Sequence, residues 1–259
     1  MSPEHSILTP EEQAVVHEHT VLDRHRLMEQ FHNLEQQTET ALVGMWVFLA
    51  TEVLFFGTLF ISLAVYRYRD NAAFTTASEQ LNWMIGGINT VVLLTSSLTM
   101  ALAVHYSKLG NRRALVWYLL ATGVLGLAFM GFKAREYYED FEENLVPGTR
   151  FFDDAEWLER GPRTADNPTA NLTPAQVPHV KQFLLLYWIM TGLHAFHVLI
   201  GIVVLFGLAA LAKRGHYSPV YYTPVEVTGL YWHFVDLVWI FLFPMLYLVG
   251  LHNMSEIHF

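Results

Sequence analysis

The chain contains no cysteine. Disulfides, thiolate-ligated zinc, iron–sulfur clusters and a cysteine nucleophile are therefore excluded. Charge is scarce as well: 15% of the 259 residues are Asp, Glu, Lys or Arg, and their balance is -9. A nucleic-acid partner calls for a basic face, so that class is set aside. Residues 1–40 hold no apolar core of signal-peptide length, and the first spanning helix is expected to act as its own insertion signal.

What the chain has instead is apolar sequence, 53% of all residues, gathered into long blocks. Blocks at about 41–66, 82–106, 114–132, 182–212 and 225–251 are each long enough to cross a bilayer as a helix. The expected fold is an all-α integral membrane bundle of five transmembrane helices, with one membrane domain over 41–251 and no internal repeat. Residues 1–40 read as a polar, partly helical segment. Thr9 is a candidate N-cap, and an amphipathic stretch runs from Glu11 to Gln37. Its scattered histidines, His5, His17, His19, His25 and His32, suit a solvated face better than a metal site. The third block ends in Lys133-Ala134-Arg135-Glu136-Tyr137-Tyr138-Glu139-Asp140, expected to form a belt of amphipathic and charged residues at the interface. Residues 134–181 form a long acidic connection with turn signals such as Pro147-Gly148, and 252–259 form a tail.

The short loops on the side of the N-terminus carry Lys108, Arg112, Arg113, Lys213 and Arg214, whereas the first loop opposite carries only Arg67 and Arg69. The positive-inside rule then places the N-terminus inside and the C-terminus outside. On that reading the acidic connection faces outward, and Glu142, Glu143, Asp153 and Asp154 offer an outward acidic surface.

Ionisable groups recur at membrane depth. Glu52 lies near the middle of the first span, where translocon scales charge about 2.5–3.5 kcal/mol for an ionised acid such as Asp. Such a carboxyl must be satisfied, neutralised or used. It can be a protonated group bonded to a neighbour, half of an ion pair, or a proton relay. His194 and His197 lie three apart and share a helical face, and so do His233 and Asp236. Interhelical hydrogen bonding accounts for these residues more simply than a metal or haem site, because spacing alone builds no coordination sphere. A stand-alone membrane metalloenzyme using these four residues is the contrasting alternative.

Several blocks in order resemble subunit III of the haem–copper respiratory oxidases. Phe48-Leu49-Ala50-Thr51-Glu52-Val53-Leu54-Phe55-Phe56 resembles the motif around that family's carbodiimide-reactive buried glutamate, with Glu52 in its place. Glu136-Tyr137-Tyr138-Glu139 resembles its glutamate–tyrosine motif. Residues 192–201, with His194 and His197, and residues 231–239, with His233 and Asp236, resemble its last two helices. The resemblance implies a five-helix bacterial form in the inner membrane. That subunit is non-redox and carries no haem, copper or other metal, those cofactors residing in partner subunits. It packs on subunit I in a complex that also holds subunit II, and it supports proton uptake and oxygen reduction. Its polar network would comprise His194, His197, His233, Asp236 and Glu136. The acidic outward connection favours the subunit III of a cytochrome c oxidase, with a cytochrome c partner or a supercomplex containing one, and bound phospholipid is further implied by the resemblance. The alternative within the family is subunit III of a quinol oxidase or the small subunit of a nitric oxide reductase.

Overall fold

The computed structural model describes residues 28, 30–143, 145–146 and 172–250. These residues form six helices: α1 (Leu34–Arg69), α2 (Asn71–Ser78), α3 (Trp83–Lys108), α4 (Arg112–Glu142), α5 (Val177–Lys213) and α6 (Thr223–Tyr247). All but α2 are long and apolar enough to cross a membrane, which gives the five spans expected.

Each boundary has a local cause. The Asn33 side chain accepts from the N–H of Gln36 at 2.7 Å and starts α1, so the amphipathic stretch expected to run on to Gln37 stops short of it. The part of that stretch before residue 28 lies outside the described residues. Asn82 and Asn111 cap α3 and α4 in the same way. Pro178 and Pro224 stand in the first turns of α5 and α6, where a missing N–H costs nothing.

Helices α3, α4, α5 and α6 pack in sequence with α3 also against α6, and α1 lies outside against α5 and α6. One end of the bundle gathers Lys108, Arg112, Lys213 and the start of α1, tied by Thr38 to Thr223 at 2.8 Å and Lys108 to Glu226 at 2.7 Å. This is the basic end of the bundle. The far end holds α2, the close of α4 and the start of α5.

The centre of the bundle is held by Trp232 of α6. Its indole lies against Gly126 of α4 and Gly201 of α5, where an added Cβ would fall 2.8 and 2.7 Å from ring carbons. Its Nε1–H donates to Ser96 of α3 at 3.1 Å. One side chain thus spans three neighbouring helices, and two glycines supply the room for it.

Two elements differ from expectation. The loop between the first two spans contains α2, whose residues from Ala73 to Ser78 are buried. Ser78 Oγ donates to the Leu246 carbonyl at 2.7 Å and docks α2 under the end of α6. Helix α4 runs about ten residues beyond its apolar block, to Glu142. The expected belt of charged residues there is in part interior: Lys133, Glu136 and Asp140 are buried, while Arg135 and Tyr138 are exposed.

Candidate functional site

Helix α1 meets the bundle along one seam: Met45, Leu49, Glu52, Phe56, Leu59, Leu63 and Tyr66. The steps of four and three residues keep that row on one face of the helix. Glu52 therefore points inward between two apolar neighbours, and its side chain is 18% exposed. Its Oε2 lies 3.4 Å from Nε2 of His197 on α5. That distance is long for a hydrogen bond, and Oε2 is buried with no hydrogen-bond partner among the described residues.

His197 is oriented by its own helix. Its Nδ1–H donates to the Leu193 carbonyl at 2.8 Å. Nε2, the nitrogen turned toward Glu52, then carries either a lone pair or a second proton. A carboxylic acid facing an imine nitrogen and a carboxylate facing an imidazolium differ only in where one proton sits. The edge of Phe56 covers the imidazole at 5.5 Å, and Tyr231 O–H donates to the His197 carbonyl at 2.9 Å. Chemically, the pair can hold one proton between α1 and α5.

His194, three residues away, reaches other neighbours. It is buried against Phe129 of α4 and Trp239 of α6, and its Nε2–H donates to the Val235 carbonyl at 3.1 Å. Its Nδ1 has no partner among the described residues. His233 bonds Ser97 of α3 through Nδ1 at 2.7 Å. It does not pair with Asp236, although the two lie three apart on α6. Both carboxyl oxygens of Asp236 are buried without a hydrogen bond among the described residues. His194 and His233 thus reach across to different helices, α6 and α3. Among the described residues, no group of three or more His, Asp or Glu could hold a metal ion.

Glu136 belongs to a third centre, at the far end. Lys133 Nζ, itself 1% exposed, lies 3.1 Å from Glu136 Oε1, 3.1 Å from Tyr187 Oη and 2.6 Å from Tyr247 Oη. The rings of Tyr137, Tyr187, Trp239 and Tyr247 surround the ammonium with centroids 4.8–5.6 Å away. Tyr187 Oη is also 2.9 Å from Glu136 Oε1 and 2.8 Å from Asp140 Oδ2, and Tyr247 Oη is 2.5 Å from Glu136 Oε1. Lys133, Asp140, Tyr187 and Tyr247 were not expected from sequence as members of a site. The signal was available: 133, 136 and 140 are spaced by three and four, which stacks them on one helical face.

Of the acidic surface, Glu142 and Glu143 are exposed at the close of α4, and Asp153 and Asp154 lie outside the described residues. A further contact at the far end joins distant parts of the chain. Asp70, between α1 and α2, accepts from Ala73 N–H at 3.1 Å, Gln176 Nε2 at 3.2 Å and His179 Nδ1 at 2.8 Å.

The family described as cytochrome c oxidase subunit III matches residues 181–251, which contain α5 after its first turn, α6, and the positions of His194, His197, His233 and Asp236. Relatives align over far more of the chain. Quinol oxidase subunit 3 of Bacillus spizizenii is 29% identical over 221 residues, covering 84% of this chain and 93% of that protein. Probable quinol oxidase subunit 3 of Staphylococcus epidermidis is 30% identical over 213 residues, covering 81% and 89%. The corresponding protein of Staphylococcus aureus is 26% identical over 209 residues. With the family match on its last two helices and this likeness along most of its length, the chain belongs to the subunit III family of the haem–copper oxidases.

Proposed function

We propose that this chain is the non-redox accessory subunit III of a bacterial terminal oxidase, set in the plasma membrane with its basic end inside. It packs on subunit I, beside subunit II, and supports proton uptake during oxygen reduction. Haem and copper belong to those partners. The observation that carries the reading is the meeting of two separate family motifs: Glu52 from one and His197 from another form a single proton-holding pair between α1 and α5. A cleft of about 370 Å³ between α1, α2 and α6 suits a phospholipid head group, with Arg67 and Asn71 beside walls of Leu63, Ala64 and Met245.

Quinol is the electron donor that the relatives' names support. Cytochrome c is the second reading, favoured by exposed Glu142 and Glu143 at the far end, whose attraction for a basic protein reaches about 8 Å at physiological ionic strength. Gentle purification through a tag on this chain tests both. A haem spectrum with a large multi-spanning partner supports the subunit, and a colourless chain that purifies alone refutes it. Oxidation of quinol, or of reduced cytochrome c, by that complex then decides the donor.

A further inference from the structure

The Lys133 centre has more acceptors than protons to serve them. The Tyr187 hydroxyl carries one hydrogen but lies within bonding distance of two carboxylates, Glu136 at 2.9 Å and Asp140 at 2.8 Å. Its oxygen also accepts from Lys133 at 3.1 Å. If both acids were ionised, one of the two short contacts would set a bare phenol oxygen against a carboxylate oxygen. The contacts are all satisfied only when one acid is protonated and donates to Tyr187.

The neighbours identify which acid that is. Glu136 Oε1 receives Lys133, Tyr187 and Tyr247 together, a set of donors that favours the carboxylate. Asp140 has Tyr187 as its one side-chain hydrogen-bond partner among the described residues. The charge balance agrees. Lys133 offers one positive charge against Glu136 and Asp140, with Glu143 just past the end of α4 adding to the negative side. Among the described residues, Tyr187 of α5 and Tyr247 of α6 face Asp140 from the other helices, and neither brings a compensating charge. Two like charges on one buried hydroxyl repel each other, and binding a proton removes that cost.

We propose that this centre is a proton-binding site at the far end of the bundle, holding one exchangeable proton on Asp140 and linking it through Tyr187 to Glu136. The wire balances. Asp140 Oδ2–H passes its proton to the Tyr187 oxygen as Tyr187 O–H passes its own to Glu136 Oε1. The charge moves from Glu136 to Asp140, and the phenol is regenerated. Asp140 is the aqueous port: it lies one turn before Glu143, and at 5% exposed it is more open than Lys133 or Glu136 at 1%. When the proton leaves to water, Tyr187 turns its hydrogen to Asp140 and gives up Glu136. Proton loss therefore loosens the α4–α5 contact.

Infrared difference spectroscopy on the full chain in detergent, with whatever subunits accompany it, tests the site independently of the oxidase reading. At neutral pH the wild type should show a protonated-carboxyl C=O component that is missing in Asp140→Asn and bleached reversibly as pH rises, and in Glu136→Gln, where the repelling charge is gone and Lys133 remains, the bleaching should move to lower pH. Glu52 and Asp236 cannot imitate it, because they remain in both variants. If Asp140→Asn does not fold, Tyr187→Phe serves instead: the same component should move to the position of a carboxyl with weaker hydrogen bonding. A wild-type spectrum unchanged by Asp140→Asn, bleaching that does not move to lower pH in Glu136→Gln, or no effect of Tyr187→Phe overturns the proposal.

Discussion

Among the described residues, His197 is the one side chain whose ring nitrogen Glu52 meets. Glu52→Gln should keep the fold, because the amide can donate to Nε2 of His197, and it should abolish labelling by a hydrophobic carbodiimide. His197→Ala removes the ring that faces Glu52 and packs against Phe56, and should lower stability by about 0.5–3 kcal/mol, read as a fall in melting temperature of the purified chain. At the far end, burial works to raise the Asp70 carboxyl, but hydrogen bonds from His179, the Ala73 N–H and Gln176 outweigh it and hold the group below its ordinary value of 3.8. A depressed carboxylate stabilises the fold above its unfolded pKa, and the benefit is lost as pH falls through the folded value. Thermal stability should therefore drop on acidification below about pH 4, and Asp70→Asn should flatten that part of the profile.

Among the helices, α1 has a narrow seam and a broad apolar outer face, with Val43, Val47, Leu54 and Ile61 exposed. Because both faces are apolar, the seam at Met45, Leu49, Phe56 and Leu63 does not show as amphipathicity, and only docking reveals which face is inside. Helix α6 is fixed differently, through Trp232 in the slot between Gly126 and Gly201. Gly201→Ala drives a methyl into the indole and should cost about 1–3 kcal/mol as overpacking. Gly207 on the same helix as Gly201 has open space at its Cβ position. Gly207→Ala should be neutral or stabilising, since Ala is favoured over Gly in a helix by up to about 1 kcal/mol. Comparing the melting temperatures of the two variants separates slot packing from helix propensity.

The whole molecule has a basic end and a far end, and the absence of cysteine allows each to be probed without background. Leu109→Cys at the basic end and Tyr68→Cys at the far end replace residues that are 62% and 92% exposed. In intact cells a membrane-impermeant maleimide should label Tyr68→Cys and leave Leu109→Cys unlabelled until the membrane is opened. The reverse pattern would invert the proposed orientation.

The number of spans and their order were legible in the sequence, because a bilayer demands about 20 apolar residues per crossing whatever the tertiary packing. Glu52 was legible too, as a carboxyl at a depth where carboxyls are costly. Its partner was not: three histidines stood at similar depth, and which of them faces α1 depends on how α5 and α6 are rotated. Helix α2 escaped notice because eight residues are too few to span, and its burial comes from docking beneath α6. Lys133, Glu136 and Asp140 looked like an interfacial belt, since charged residues after an apolar run usually reach water. Only the packing of Tyr187 and Tyr247 over that face of α4 turned the belt into an enclosed centre. The sequence by itself determined which segments enter the membrane, through transfer cost alone. The tertiary structure decided which buried polar groups meet, because that depends on helix rotation and depth, which an apolar surround leaves unmarked.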